Sequence, residues 1–147
     1  MAGRNVRTKE RATAGFTADE VFAAAVDLSS CQFRFVTTGS ISGEVTGATG
    51  ASDPFPIGVL QNAPTATLAA VVRVFGRTTI AAYPAACNLL PGAVVTANPC
   101  GAACKSGSLG VGLGRWLSAS LASGGSSVTG EIFVNCILPS ACMLAAS

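Results

Sequence analysis

The sequence predicts an all-β fold: a small β-sandwich or barrel of short antiparallel strands, with an extended N-terminal arm and one candidate short helix. Three observations predict this class. Beyond residue 30, apolar and β-branched residues come in short runs, some of them alternating with polar residues. Glycines and prolines separate these runs. No segment of this part shows a helical period, so we expect an arm over residues 1–30 and one β-domain over residues 31–147.

The N-terminal arm is basic. Four of the nine basic residues fall within the first eleven positions, namely Arg4, Arg7, Lys9 and Arg11. The net charge of +2 is too small to indicate nucleic-acid binding. A basic terminal segment either meets an acidic surface or is simply solvated, and the sequence leaves both open.

One stretch of the arm, "FTADEVFAAAVD", carries the pattern of a helix start. Thr17 can cap the helix, Glu20 follows three residues later, and Phe16 can pack on Val21. This predicts one short helix over about 18–27. The alternative is that Thr17 lies in a turn of an extended lead-in.

The strands of the β-domain follow from short motifs. "CQFRFVTT" places Phe33 and Phe35 on one face of a strand, and a turn at Pro91-Gly92 leads into "AVVTAN". We expect two separate strands around Gly76. The remaining strand candidates are "ISGEVTGATG", "PIGVLQ", "LGVGLGRWLSAS" and "VTGEIFVNCIL".

The segment "DPFPIGVLQNAP" at residues 53–64 predicts a rigid strand and turn. Its prolines exclude a helix. Gly58 permits a close backbone approach, while Val59 and Leu60 point to opposite faces. Asn62 suits a turn, and Pro64 limits how the chain continues.

Low charge predicts association. Charged residues make up 11% of the chain, against about 25% in a typical globular protein. No uncharged apolar run reaches the 18 residues or so that a membrane-spanning helix needs. Burial of the surface against partner subunits explains this composition. The alternative is an ordinary alanine-rich domain.

Six cysteines allow three interpretations. Most can be small buried hydrophobic residues. Zinc would use Cys100 and Cys104 with Cys136 and Cys142, but these spacings are looser than in zinc knuckles and the chain has no histidine, so we expect no metal. Disulfides formed after release from a cell would join Cys100 to Cys104, or involve Cys136 or Cys142. The N-terminus has no apolar core of a signal peptide, so none is expected.

Nothing in the sequence indicates catalysis. The absence of histidine removes the commonest general base, and the seven carboxylates are scattered. "GVGLG" at 110–114 lacks the third glycine of a dinucleotide loop, and "CKS" at 104–106 lacks the glycines of a phosphate loop. We therefore expect neither an enzyme nor a cofactor.

In their order along the chain, several of these motifs resemble the capsid decoration (cement) proteins of tailed bacteriophages, over about residues 31–138. The motifs are "PIGVLQNAP", "AAVVRVFGRTTIAA", "LLPGAVVTA", "GVGL" and "ASGGSSVTGEIFV". The matching positions are Gly58, Val59, Leu60, Asn62, Pro64, Ala70, Val72, Val74, Gly76, Gly92, Val94, Val95, Val111 and Gly112.

This resemblance implies a homotrimer on the outer surface of an expanded head, where it would stabilise contacts between subunits of the major capsid protein. It implies no membrane partner and no direct nucleic-acid contact. Arg4, Arg7, Lys9 and Arg11 would then contact the capsid. Two alternatives remain: another virion structural protein, such as a minor head or fibre-base component, or a small ligand-binding β-barrel.

Overall fold

The computed structural model of the protein describes residues 16–50, 55–83, 88–106, 112–122 and 128–136. These residues form nine strands and no helix, which confirms the all-β prediction. They also contain no helix of the length and apolarity that would cross a membrane. The strands are β1 (Ala18–Ala24), β2 (Phe35–Thr38), β3 (Glu44–Gly47), β4 (Pro56–Leu60), β5 (Ala69–Ala82), β6 (Val94–Ala97), β7 (Ala103–Lys105), β8 (Gly114–Trp116) and β9 (Val128–Asn135).

The strand pairings close two five-stranded rings that share β5. The first ring runs β1-β3-β2-β4-β5 and returns to β1, and the second runs β5-β7-β6-β8-β9 and returns to β5. All pairings are antiparallel except β1–β3 and β5–β7. Ring closure satisfies the backbone groups that an open sheet would leave at its edges.

Each ring encloses its own apolar core. Leu28, Val36, Val45, Leu60, Ala70 and Val72 are among the residues that fill the first ring. The second core contains Ile80, Leu89, Val95, Leu113, Trp116, Ile132 and Val134, together with Phe35 and Val59 from the first ring. Neighbouring residues of β2 and β4 therefore serve different cores, and the prediction that Val59 and Leu60 face opposite ways is confirmed.

Two glycines let the backbones approach closely. A Cβ atom at Gly58 would overlap the carbonyl oxygen of Arg73 and lie 2.6 Å from Cγ1 of Val72. This is the close approach that the strand pattern predicted at Gly58. At Gly130, a Cβ atom would overlap the ring of Trp116, the largest fully buried side chain.

The predicted helix over 18–27 is wrong, because residues 18–24 form β1. Phe22 and Ala24 turn toward the first core, and β1 pairs with β5 over Ala18–Ala23. The strand is stabilised by hydrogen bonding to β5 on one side and β3 on the other, and these tertiary contacts outweigh the helix-capping pattern of the local sequence. The division of the chain at residue 30 stays a prediction.

The two strands predicted around Gly76 are a single strand. β5 continues through Gly76, which adopts φ of +113°, and its partner changes there from β1 to β9. β2 begins at Phe35 rather than near residue 31, because a turn precedes it and Phe33 has φ of +63°. The structure also contains the short strand β7, which the sequence pattern did not predict.

Candidate docking surface

Three phenylalanines form a cluster on the outer side of the fold, at the seam between the two rings. The ring centroids of Phe16 and Phe75 lie 5.7 Å apart, with their planes at 55°. Those of Phe75 and Phe133 lie 5.0 Å apart in an edge-to-face arrangement at 85°. Both distances fall in the favourable range for aromatic pairs. We call these three residues the aromatic patch.

The position of the aromatic patch follows from the pairing of β5. Phe75 is the last residue of β5 opposite β1, where it faces Ala18, and the first opposite β9, where it faces Asn135. Phe16 lies two residues before the start of β1, and Phe133 lies two residues before the end of β9. The three phenyl groups therefore meet where β5 changes its pairing from β1 to β9.

Two ion pairs flank the aromatic patch. Nε of Arg73 donates to Oδ1 of Asp19 at 2.8 Å, and its Nη2 donates to Oδ2 at 3.1 Å. The hydrogen bonds to this carboxylate raise the pKa of Arg73 above its ordinary value. Arg73 also donates to the carbonyl oxygen of Arg77 at 2.9 Å, and Arg77 donates to Glu131 at 3.0 Å. These ion pairs are solvent-accessible, so they hold the side chains of Arg73 and Arg77 in place but contribute little to the stability of the fold.

The patch leaves a large apolar area in contact with solvent. Phe16 is 68% exposed and Phe133 is 38% exposed, while Phe75 is half-buried between them. Aromatic and arginine side chains are the residue types enriched in protein interfaces. The aromatic patch therefore has the composition that is typical of a protein-binding surface. Among the described residues, no group of three or more histidine, cysteine or carboxylate side chains could hold a metal ion.

The motif residues singled out from the sequence lie within strands and turns. Gly58, Val59 and Leu60 belong to β4, and Gly76 lies in the middle of β5. Gly92 has φ of +85° in the predicted turn before β6, and Gly112 packs close to Cγ1 of Val94.

Asn62 and Pro64 fix the segment that follows β4. The Asn62 side chain accepts from the backbone N–H of Val71 at 3.0 Å and donates to the carbonyl oxygen of Ala69 at 2.9 Å. Pro64 is buried, and its carbonyl oxygen accepts from the N–H of Leu28 at 2.9 Å. In the structure Asn62 and Pro64 shape the β framework.

The four predicted capsid-contact residues, Arg4, Arg7, Lys9 and Arg11, lie outside the described residues. The chain that carries them enters the described part at Phe16, which is itself a member of the aromatic patch. Only four residues separate Arg11 from Phe16. The basic segment and the aromatic patch are therefore neighbours along the chain.

The cysteines of the described part include three free thiols, at Cys31, Cys100 and Cys136. The structure thus contains no Cys100–Cys104 bond, and oxidation of that pair in a virion stays a prediction. Burial raises the pKa of Cys136 to about 12. Cys142 lies outside the described residues.

No protein-family model matches the sequence, and no curated protein matches it. The fold is similar to a solved structure, the N base of the head fibre protein gp8.5 of bacteriophage phi29. The superposition has a TM-score of 0.58 and covers 82% of this chain and 96% of that one, at 10% sequence identity. At this identity the likeness shows a shared fold.

Proposed function

We propose that this chain is a structural protein of a phage virion that binds the outer surface of the head as a decoration protein. The fold shared with nearly the whole base of a phage head fibre supports the broader class, a virion structural protein. The finer role, decoration, is favoured by the order of the sequence motifs that resemble capsid decoration proteins.

The aromatic patch is the surface we assign to capsid binding. Its exposed phenylalanines would enter an apolar depression of the major capsid protein, and the flanking arginines would orient the contact. The basic segment around Arg4–Arg11 would meet acidic residues beside that depression. An apolar anchor next to a cationic segment favours a partner surface with an apolar centre and an acidic rim.

Repetition over the shell would give strong retention from contacts that are individually modest. A homotrimer presents three copies of the same surface, and simultaneous engagement multiplies the apparent affinity without any new contact. We therefore propose the trimer as the binding unit, and its mass in solution can be measured by light scattering.

A second candidate, the base of a head fibre, has the phi29 likeness in its favour. The two roles differ in copy number. A decoration protein would saturate a shell at a fixed ratio to the major capsid protein, with one trimer at each local three-fold position. A fibre base would saturate at far fewer copies, set by the number of fibres.

The test is co-sedimentation of the protein with expanded shells of its own phage after the decoration protein has been stripped from them. A saturable, fixed and high ratio to the major capsid protein would support decoration. A low fixed ratio would support the fibre base. Absence of binding, together with a monomer in solution, would overturn both and favour the small ligand-binding barrel.

A charge-neutralised variant tests the arm. Replacement of its four basic residues by glutamine should lower shell affinity and flatten its salt dependence, because exposed charges act over about 8–10 Å at 0.10–0.15 M salt. The residues are Arg4, Arg7, Lys9 and Arg11. Unchanged binding at every salt concentration would remove the arm from the proposed contact.

A further inference from the structure

A pocket lies near the end of β5, eight residues beyond Phe75 and up to about 26 Å away along the strand. It is a half-open pocket of about 600 Å³. Its walls come from the turn before β2, which supplies Cys31 and Arg34, and from the turn after β6, which supplies Asn98 and Cys100. Tyr83 lines it at the end of β5. Pockets of this size accept small molecules or single side chains of a partner.

The walls of this pocket are fixed by hydrogen bonds. The side-chain oxygen of Asn98 accepts from the backbone N–H groups of Cys100 and Ala102, both at 2.9 Å. The N–H of Phe35 donates to the carbonyl oxygen of Gly101 at 2.7 Å and so ties the two turns together. The site is therefore formed before any ligand arrives, which reduces the entropic cost of binding.

The charge of the pocket is positive. Among the described residues that line it, Arg34 alone carries a charge at neutral pH, and no carboxylate lines it. Arg34 donates from Nη1 to the carbonyl oxygen of Cys100 at 3.2 Å, a bond that uses one of the five N–H donors of its guanidinium. Asp19 and Glu131 are engaged elsewhere, with Arg73 and Arg77.

We propose that this pocket binds a carboxylate side chain presented by a polypeptide partner. The remaining donors of Arg34 suit the planar, two-oxygen geometry of a carboxylate. The ring of Tyr83, which is 45% exposed, offers an apolar face to the chain that carries the carboxylate. This site is separate from the aromatic patch, and its assignment does not depend on the proposed function.

Tyr83 makes the site directly observable, because it is the only tyrosine of the chain. Protein labelled with ring-¹³C tyrosine gives one set of aromatic NMR signals, and these report on the pocket without assignment. The probes are an acetylated and amidated Ala-Glu-Ala tripeptide, its Ala-Gln-Ala counterpart, and acetate. The glutamate peptide should shift the signals saturably, and the glutamine peptide should bind at least about tenfold more weakly.

Arg115 supplies a matched control for Arg34. Its Nη1 also donates to one turn carbonyl oxygen, that of Gly92, at 3.1 Å, but it does not line the pocket. Arg34→Met should weaken binding of the glutamate peptide about tenfold or more, and Arg115→Met should leave it unchanged. Fluorescence of Trp116 verifies that both variants are folded.

Three results would overturn the proposal. Equal shifts by the two peptides, or none by either, would refute carboxylate recognition. Equal loss in the Arg115→Met variant would show a general charge effect. Acetate that binds as tightly as the glutamate peptide would overturn the assignment to a polypeptide partner. The peptide comparison uses the unaltered protein, so it decides the matter even where Arg34→Met fails to fold.

Discussion

Replacement of Phe133 by threonine tests the aromatic patch most directly, because threonine preserves β-propensity and removes the ring. A phenylalanine side chain buries about 150–250 Å² in total, so its 38% exposure leaves about 80 Å² available to a partner. At about 25 cal/mol per Å², covering that area contributes about 2 kcal/mol. Its loss should weaken binding about 30-fold at each contact.

The same substitution should also destabilise the isolated protein, because the part of the Phe133 side chain that is already buried, about 120 Å² at about 25 cal/mol per Å², contributes up to about 3 kcal/mol. Phe133 loses its edge-to-face contact with Phe75, an interaction of about 0.5–1.5 kcal/mol. Denaturant unfolding should therefore show a decrease in stability of about 2–4 kcal/mol with a transition that stays cooperative. Shell binding is then measured on folded protein, by co-sedimentation over a concentration series.

Ile41 provides the matched control. It is 65% exposed, more than Phe133, but it lies in the turn between β2 and β3 and outside the aromatic patch. Ile41→Thr should leave shell affinity unchanged. Unaltered affinity in Phe133→Thr would refute the assignment of the patch, and an equal loss in Ile41→Thr would show that general surface apolarity drives binding.

Three further substitutions or treatments test the framework. Gly130→Ala should destabilise the protein by about 1–3 kcal/mol, because the added methyl group overlaps the ring of Trp116. It should also alter the fluorescence of Trp116, the only tryptophan of the chain, and an unchanged unfolding midpoint would contradict this packing. Asn62→Ala should lower the free energy of unfolding by about 1–3 kcal/mol, because the half-buried N–H of Val71 loses its acceptor. An unchanged free energy of unfolding would show that water replaces the amide oxygen. Cys136 is half-buried, and desolvation raises its pKa to about 12, so its thiolate is scarce at pH 8 and iodoacetamide should react with it much more slowly in the native protein than after denaturation. Equal labelling rates in the native and denatured protein would contradict this.

The sequence predicts the strands that carry a local signature. β4, β6 and β9 coincide with runs of alternating or β-branched residues bounded by glycine, proline or polar turns. β1 carries a misleading signature, because its capping pattern is local while its paired residues in β5 lie 46 to 57 residues further along the chain. The closure of two rings around β5 depends on such distant pairings, and no local pattern specifies them.

The sequence pattern did not predict the aromatic patch, and the reason differs from that for β1. Phe75 and Phe133 stand in continuous apolar runs, where alternation does not reveal which face is exposed. One signal was available: Arg73 and Arg77 flank Phe75 at two-residue spacing, so the three side chains share a face, and the arginines mark it as the outer one. The pocket around Arg34 combines two turns about 65 residues apart, which only the folded chain brings together.

Phe75 of the aromatic patch lies in β5, and Tyr83, which lines the Arg34 pocket, directly follows the same strand. Two such sites, if both bind as proposed, could bridge neighbouring subunits of a shell. If both sites engage the shell, Phe133→Thr and Arg34→Met should each weaken binding. Their free-energy costs should add in the double variant, because the residues are far apart and share no contact. A double variant no weaker than the worse single variant would mean that the two sites do not bind the shell independently, and the bridging role would then be wrong.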